Sequence, residues 1–305
     1  RNSDLAIASR YYSKYFIALG NGDGTFGKAG SFDMPEGPLA AASADFNGDG
    51  VADLVFGNYY GGKIAILISK GDGTFQRFAD ILAKGDTYSL AVADLNGDGL
   101  PDVAAANRSS QSLTVALGRG DGLFAPAITL GSAPVWVTQA GLDAGGTPVL
   151  AAVNALTDSV VVLRAGLQVV ESYAVGENPR QVVAGDFNGD SIPDLAAVNG
   201  GTGTISVLLG KGEGRFQSAV NIEAGKNPSA LTVLDSNRDG LSDLVVTLSF
   251  EDGLLLLSKG SGEFELAGRV PGTGAASSIA AGDFNRDGVP DLAIMGWYGV
   301  SVLLG

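Results

Sequence analysis

The hydrophobic positions of this chain fall into short segments rich in β-branched residues, such as "LTVALG" at 113–118, "VVVLRA" at 160–165 and "TISVLLG" at 204–210. Glycine-rich polar turns separate these segments, and none of them keeps the 3.6-residue period of an amphipathic helix. Short apolar runs bounded by turn residues are typical of β-strands. The pattern therefore predicts an all-β fold.

The polar positions repeat along the chain in two motifs that share one frame. The acidic motif D-x-N-x-D-x-x-x-D begins at Asp45, Asp94, Asp186, Asp235 and Asp283, and a degraded copy, "GLDAGGTPV", occupies 141–149. The second motif reads "GNGDGTF" at 20–26 and recurs at 69–75, 118–124, 210–216 and 258–264. Two motifs with a common period of 45–49 residues indicate an internal repeat.

Each period accommodates four strands, labelled A to D: strand A leads into the acidic loop, strand B follows it, and the glycine-rich motif joins strands C and D. Four strands in about 48 residues, repeated in a ring, are typical of a β-propeller with four-stranded antiparallel blades. Seven strand B segments, starting at 4, 53, 102, 149, 194, 243 and 291, predict seven blades in a single domain over 1–305, with six blades as the alternative. The first copy lacks strand A and the last lacks strand D.

The charge and composition exclude several classes of function. The chain carries 33 acidic against 19 basic residues, a net charge of −14, and it contains neither histidine nor cysteine. A polyanion such as DNA or RNA would be repelled, so no nucleic-acid partner is expected. Catalytic triads with histidine, thiolate or imidazole metal sites and disulfides are absent by composition. No apolar run reaches the roughly 18 residues of a membrane span, so no membrane insertion is expected.

The acidic motif has the composition of a calcium loop. Aspartate, asparagine and aspartate at positions 1, 3 and 5, a carbonyl at position 7 and a carboxylate at position 9 supply the oxygen donors that Ca²⁺ prefers. Position 12 is apolar and strands flank the loop, unlike an EF-hand. We predict about five Ca²⁺ sites, with ligands Asp45, Asn47, Asp49, Val51 and Asp53; Asp94, Asn96, Asp98, Leu100 and Asp102; Asp186, Asn188, Asp190, Ile192 and Asp194; Asp235, Asn237, Asp239, Leu241 and Asp243; and Asp283, Asn285, Asp287, Val289 and Asp291.

The competing interpretation is that Asp, Asn and Gly merely favour turns. That would explain one loop, but not five with identical spacing. Ser191 replaces the glycine found at position 6 of the other four loops, so backbone strain and weaker binding are expected there. The degraded copy at 141–149 is expected to bind no metal.

"DFNGDGVADL" at 45–54 together with "LGNGDGTF" at 19–26 resembles the FG-GAP/VCBS repeat of integrin α-subunit propellers, fungal propeller lectins and many bacterial secreted proteins. The resemblance covers nearly the whole chain and implies a propeller whose acidic loops share one face. It also implies that the B–C and D–A connections form the opposite, ligand-binding face. Carried onto this sequence, that face would collect Tyr11, Tyr12, Tyr59, Tyr60, Tyr88, Arg180, Trp297 and Tyr298 as candidate partner-binding residues.

From these features we expect a calcium-binding, non-catalytic interaction or adhesion module, secreted, periplasmic or at the cell surface, with a protein or glycan ligand. The alternative is a lectin that stacks sugars on the aromatic residues. A lyase or hydrolase is less favoured, because no acid–base pair stands outside the acidic loops, and no catalytic residue is predicted.

Overall fold

The computed structural model describes residues 2–131, 134–143, 145–164, 168–274, 276–296 and 299–305 as strands and connecting turns. Its 26 strands form seven antiparallel sheets, and no helix occurs among these residues. The prediction of an all-β, seven-bladed propeller is thereby confirmed. No described segment is a helix long and apolar enough to cross a membrane.

The blades follow one another along the chain, and we number them 1 to 7. Blade 1 contains β1 (Leu5–Ser9), β2 (Lys14–Ala18) and β3 (Gly30–Asp33); blade 2 contains β4 (Pro38–Ala44), β5 (Asp53–Asn58), β6 (Lys63–Ser69) and β7 (Phe75–Leu82); blade 3 contains β8 (Thr87–Ala93), β9 (Asp102–Asn107), β10 (Ser112–Ala116) and β11 (Ile128–Gly131). Blade 4 contains β12 (Pro134–Leu142), β13 (Pro148–Asn154), β14 (Ser159–Arg164) and β15 (Gln168–Ala174).

Blades 5 to 7 continue the same order. Blade 5 contains β16 (Pro179–Gly185), β17 (Asp194–Asn199), β18 (Thr204–Leu208) and β19 (Val220–Glu223); blade 6 contains β20 (Pro228–Leu234), β21 (Asp243–Leu248), β22 (Gly253–Ser258) and β23 (Phe264–Val270); blade 7 contains β24 (Ser278–Gly282), β25 (Asp291–Gly296) and β26 (Gly299–Leu303). Blade 1 therefore has strands B, C and D, and blade 7 has strands A, B and C, as the repeat predicted.

Strand A is the inner edge strand of each complete blade. Proline begins four of these strands, at Pro38, Pro134, Pro179 and Pro228, where the missing N–H falls on an edge and interrupts no sheet. Strand B lies second in the sheet and is buried at every residue in blades 2, 3, 5 and 6. A strand buried on both faces needs mainly apolar side chains, which explains the mostly apolar segment that follows the aspartate at the start of each of these strands.

The hydrophobic core lies between neighbouring blades, and the ring closes between blades 7 and 1. In blade 3 the C–D hairpin donates a hydrogen bond from Gly122 N to Phe46 O of blade 2 at 2.9 Å, and the Phe46 and Phe124 rings lie 5.6 Å apart. The same contacts join blade 1 to blade 7: Gly24 N donates to Phe284 O at 3.0 Å, and the Phe26 and Phe284 rings lie 5.5 Å apart. Blade 1 therefore follows blade 7 as blade 3 follows blade 2.

Candidate functional site

The five acidic loops connect strand A to strand B in blades 2, 3, 5, 6 and 7. In blade 2 the Asp45 carboxylate accepts hydrogen bonds from the backbone N–H groups of Gly48 and Gly50, each at 2.7 Å. The Asn47 side-chain amide donates to Asp49 Oδ2 at 2.9 Å. The bond from Gly50 contributes most to lowering the pKa of Asp45, so the loop keeps an ionised carboxylate at its centre.

Backbone N–H groups also donate to the first carboxylate in the other four loops. The donors are Gly97 and Gly99 for Asp94, Gly189 and Ser191 for Asp186, Gly240 for Asp235, and Arg286 and Gly288 for Asp283. Position 6 needs a left-handed backbone, with φ of 81° at Gly50 and 62° at Ser191. The strain expected at Ser191 is therefore present, because an L-residue rarely adopts this conformation.

The aspartates at position 9 of the acidic loops are buried, and each accepts backbone hydrogen bonds that connect parts of its blade. Asp53 is completely buried; its Oδ2 accepts Phe46 N at 3.0 Å and its Oδ1 accepts Ser69 N, at the end of strand C, at 2.9 Å. Asp102, Asp194, Asp243 and Asp291 are equally buried and accept the corresponding pair of amides. Each of these carboxylates therefore links its acidic loop, its strand B and the end of its strand C.

The donor set of these loops fits Ca²⁺. A carboxylate oxygen that accepts one N–H retains a lone pair for a cation. Burial raises the pKa of Asp53, and the charges of Asp49 and Asp45 raise it further. A cation among these three carboxylates would relieve that repulsion. In the conformation described, no group of three or more acidic side chains within the described ranges converges as a metal centre, so the sites stay a prediction.

The degraded loop at 141–149 closes by a different set of bonds. Asp143 Oδ1 accepts the N–H groups of Gly145 at 2.9 Å and Thr147 at 3.0 Å, which makes a short turn around one carboxylate. The aspartates of positions 1, 5 and 9 are missing from this copy. A single carboxylate is a poor ligand set for Ca²⁺.

On the opposite face, four tyrosines and two arginines of blades 1, 2 and 3 form one cluster. We call Arg10, Tyr11, Tyr59, Tyr60, Tyr88 and Arg108 the Arg–Tyr cluster. The Arg10 guanidinium lies 4.3 Å from the Tyr59 ring centre and 4.8 Å from that of Tyr11. The Tyr59 ring contacts those of Tyr60 at 4.8 Å and Tyr88 at 6.1 Å, and Arg108 lies 5.1 Å from the Tyr88 ring.

The structure thus brings together four of the eight residues predicted for the partner face. Tyr12 follows Tyr11 and is exposed. Arg180 lies apart, since its Nη1 donates to Pro228 O of blade 6 at 3.2 Å. Trp297 and Tyr298 lie outside the described residues. Sequence reasoning missed Arg10 and Arg108, although both stand in the variable B–C tips "SRYYSKY" and "NRSSQ".

Glu36 borders the Arg–Tyr cluster. Its backbone oxygen accepts Tyr60 N at 2.8 Å, and the adjacent Gly37 lies against the Tyr60 ring and the Arg10 side chain. Its Oε1 pairs with Arg77 Nη1 at 2.9 Å. Its Oε2 is shielded from solvent and makes no hydrogen bond within the described part of the chain. A carboxylate oxygen without a donor can accept a hydrogen bond from a water molecule or ligand that reaches it.

Comparison with known proteins identifies the repeat. A family model described as an FG-GAP-like repeat matches residues 2–56, 45–105, 94–150, 186–246 and 237–294. No curated protein has a sequence that matches this one.

Solved structures with the same ring have very different sequences. A putative 6-phosphogluconolactonase from Bacteroides uniformis has a TM-score of 0.74 at 13% identity, over 98% of this chain and 91% of that one. The periplasmic gluconolactonase PpgL from Pseudomonas aeruginosa has a TM-score of 0.72 at 14% identity, with the same two coverages. BBS1N in complex with ARL6DN has a TM-score of 0.71 at 12% identity, over 100% and 88%. At these identities the likeness concerns the fold.

These structures overturn the prediction of a non-catalytic interaction module, and with it the expectation that the chain is not an enzyme. Two of the similar rings carry the names of lactone-hydrolysing enzymes. The absence of histidine excludes only the chemistries that need it, because carboxylates, arginine and tyrosine also serve in proton transfer and charge stabilisation.

Proposed function

The chain belongs to the FG-GAP-like repeat family, and from that premise we propose that it is a hydrolase that opens a sugar lactone at the Arg–Tyr cluster. The observation that carries the proposal is a row of tyrosine rings running from Arg10 to Arg108. Tyrosine faces bind sugar rings by stacking, and guanidinium groups bind oxyanions. The names of the similar rings support a lactone as the substrate class.

The chemistry requires a base, an oxyanion partner and a platform for the sugar. Water adds to the lactone carbonyl carbon as Glu36 takes its proton, and the oxyanion of the tetrahedral intermediate faces the Arg10 guanidinium. The bond between the carbonyl carbon and the ring oxygen then breaks, and the ring oxygen receives the proton from Glu36. The product is the open-chain hydroxy acid. Tyr59 and Tyr60 hold the sugar ring against these groups.

Calcium has a structural role in this proposal. Ca²⁺ in the five acidic loops, on the face opposite the Arg–Tyr cluster, supplies positive charge to a chain of net charge −14 and stabilises the ring. One domain, residues 1–305, carries both the loops and the cluster. A location outside the cytoplasm, in the periplasm or beyond the cell, suits loops of this kind, because extracellular calcium modules bind in the millimolar range.

The test measures the hydrolysis of D-glucono-1,5-lactone and of its 6-phosphate, with the released acid recorded in a pH-stat. We expect release faster than the spontaneous reaction, and a loss of about 100-fold or more in Glu36→Gln. Glu265→Gln is the matched control, because Glu265 lies on an outer strand and pairs with Lys259. Spontaneous rates with both lactones, in a sample that is folded and loaded with calcium, would contradict the proposal.

A further inference from the structure

Five asparagines of this chain are followed by glycine: Asn21, Asn47, Asn96, Asn188 and Asn199. Asparagine is thermolabile in this context, because the next backbone nitrogen can attack its side-chain carbonyl carbon and glycine has no Cβ to hinder the approach. The attack requires that the backbone nitrogen give up its N–H and that the asparagine side chain rotate toward it. Hydrogen bonds to either group therefore decide how reactive each of the five sites is.

The asparagines of the acidic loops in blades 2, 3 and 5 are each held by three hydrogen bonds. In blade 2, Gly48 N donates to Asp45 Oδ1 at 2.7 Å. The Asn47 amide donates to Asp49 Oδ2 at 2.9 Å, and Asn47 Oδ1 accepts Asp49 N at 3.0 Å. The same three bonds recur in blades 3 and 5. The glycine N–H and the asparagine side chain are therefore both restrained in these loops.

Asn199 is protected by burial as well as by hydrogen bonds. It is fully buried at the end of β17, and its amide donates to the hydroxyls of Thr204 at 3.1 Å and Ser206 at 2.8 Å. The following Gly200 N donates to Asn178 O at 3.0 Å. Neither the rotation of the side chain nor the access of water is available at this site.

Asn21, in the C–D hairpin of blade 1, differs from the other four. It is exposed, and within the described part of the chain its side chain makes a single hydrogen bond, from Nδ2 to Thr25 Oγ1 at 2.8 Å. Gly22 N makes no hydrogen bond to a described residue. In blades 2 and 6 the equivalent glycine N–H donates to a serine hydroxyl two residues earlier, whereas blade 1 has Gly20 at that place.

We propose that Asn21 is the residue at which this protein deamidates. Gly22 N loses its proton to water and bonds to Asn21 Cγ; the bond between Cγ and Nδ2 breaks, and the nitrogen leaves as ammonia with a proton from water. A second water opens the cyclic imide, whose nitrogen regains a proton. Breaking its bond to Cγ gives aspartate, and breaking its bond to the main-chain carbonyl carbon gives isoaspartate. The Arg286 guanidinium borders Gly22 and favours loss of the N–H proton, because a positive charge stabilises the anion.

The position of Asn21 gives this reaction a structural consequence. The same hairpin joins blade 1 to blade 7, since Gly24 N donates to Phe284 O at 3.0 Å and the Phe26 and Phe284 rings lie 5.5 Å apart. Isoaspartate lengthens the main chain of the hairpin by one carbon atom and displaces the residues that make these contacts. Deamidation at Asn21 therefore loosens the junction that closes the ring.

The first test compares rates within one chain. Folded protein is incubated at mildly alkaline pH, and peptide mapping by mass spectrometry follows the change from amide to acid at each asparagine. We expect Asn21 to convert at least about tenfold faster than Asn47, because the loop must first break hydrogen bonds to charged carboxylates. In urea, where these bonds are lost, the two rates should be similar. A folded rate at Asn21 no higher than that at Asn47, or the same ratio of rates in urea, would overturn the proposal.

The second test uses Asn21→Lys, because lysine occupies this hairpin position in three other blades, as Lys70, Lys211 and Lys259. We expect the Tm of the wild-type protein to fall during the incubation as isoaspartate accumulates, and the Tm of the variant to stay constant. Equal losses of Tm in the two proteins would contradict the link between Asn21 and ring closure. An unchanged Tm in wild-type protein that carries isoaspartate at position 21 would contradict it as well.

Discussion

At the residue scale, Asn58 is a buried amide that no described residue partners. It ends β5 and is fully buried, and neither polar atom of its side chain makes a hydrogen bond within the described residues. The equivalent Asn107 in blade 3 accepts from Thr87 Oγ1 at 3.0 Å and donates to Thr114 Oγ1 at 2.8 Å. Blade 2 has Pro38 and Ala65 at those two positions. The missing hydroxyls therefore explain why Asn58 has no hydrogen-bond partner in the described part of the chain.

Restoring one hydroxyl should stabilise the protein. Ala65→Ser places an Oγ where Ser206 accepts from Asn199 Nδ2 at 2.8 Å in blade 5. We expect the free energy of unfolding in urea to rise by about 1 kcal/mol. The matched change, Thr114→Ala, removes the partner of Asn107 and should lower it by about 1–3 kcal/mol. A loss of stability in Ala65→Ser would show that Asn58 has no use for a donor or acceptor at this site.

Arg108 should select substrates that carry an anionic group. It is exposed, lies over Tyr88, and forms no ion pair with an acidic side chain among the described residues. Arg108→Ala should raise KM for the phosphorylated lactone about tenfold and leave kcat unchanged, because the phosphate is bound alike in the ground and transition states. KM for the unphosphorylated lactone should not change. Arg119→Ala, on the opposite face, is the control, and equal changes for both lactones would refute this role.

At the element scale, each strand A, acidic loop and strand B form one unit held by a buried aspartate. Asp102 accepts Leu95 N at 2.8 Å and Gly118 N at 2.7 Å, and burial raises the pKa of its carboxyl group. Asp102→Asn turns an amide NH₂ toward one of two N–H donors. We expect a loss of about 1–3 kcal/mol in urea unfolding even when calcium is chelated.

Asp98→Asn is the comparison within the same loop, because Asp98 is exposed. It should leave the chelated protein nearly unchanged and reduce the stabilisation that added Ca²⁺ produces. Equal effects of the two substitutions in chelator would mean that the buried aspartate is no more than another loop carboxylate.

The spacing of the two repeated motifs predicted most of the fold. The acidic loop and the hairpin motif placed the strand B starts at 4 and 149, against Leu5 and Pro148 in the structure. The same spacing could not reveal that Asp53 and its equivalents turn inward to backbone amides, since a surface ligand and a buried one have the same sequence. The contact of Arg10 with Tyr59 joins two blades, and no periodic pattern reports side-chain direction between blades. The wrong prediction of a non-catalytic module came from the lack of a recognisable acid–base pair outside the acidic loops, because the sequence does not show which side chains the blades bring together.

At the scale of the whole molecule, calcium should decide how stable the ring is. Five Ca²⁺ ions would change the net charge from −14 to −4. An ion at about a hundredfold excess over its dissociation constant adds about 2.7 kcal/mol per site. We expect Tm to rise by more than about 5 °C between chelator and millimolar calcium, and titration calorimetry to count about five sites. Magnesium is the control, since it suits flexible oxygen cages poorly; an unchanged Tm would remove calcium from the proposal.

Two backbone hydrogen bonds between neighbouring blades run in the same direction around the ring. The hairpin of the following blade donates to the acidic loop of the blade before it, from Gly122 to Phe46 and from Gly24 to Phe284. Cleavage of one of these acidic loops therefore removes the acceptor of the following blade's hairpin and leaves the contact with the preceding blade in place. Local unfolding should spread toward the following blade, and a proteolytic cut in the acidic loop should next expose the hairpin of that blade.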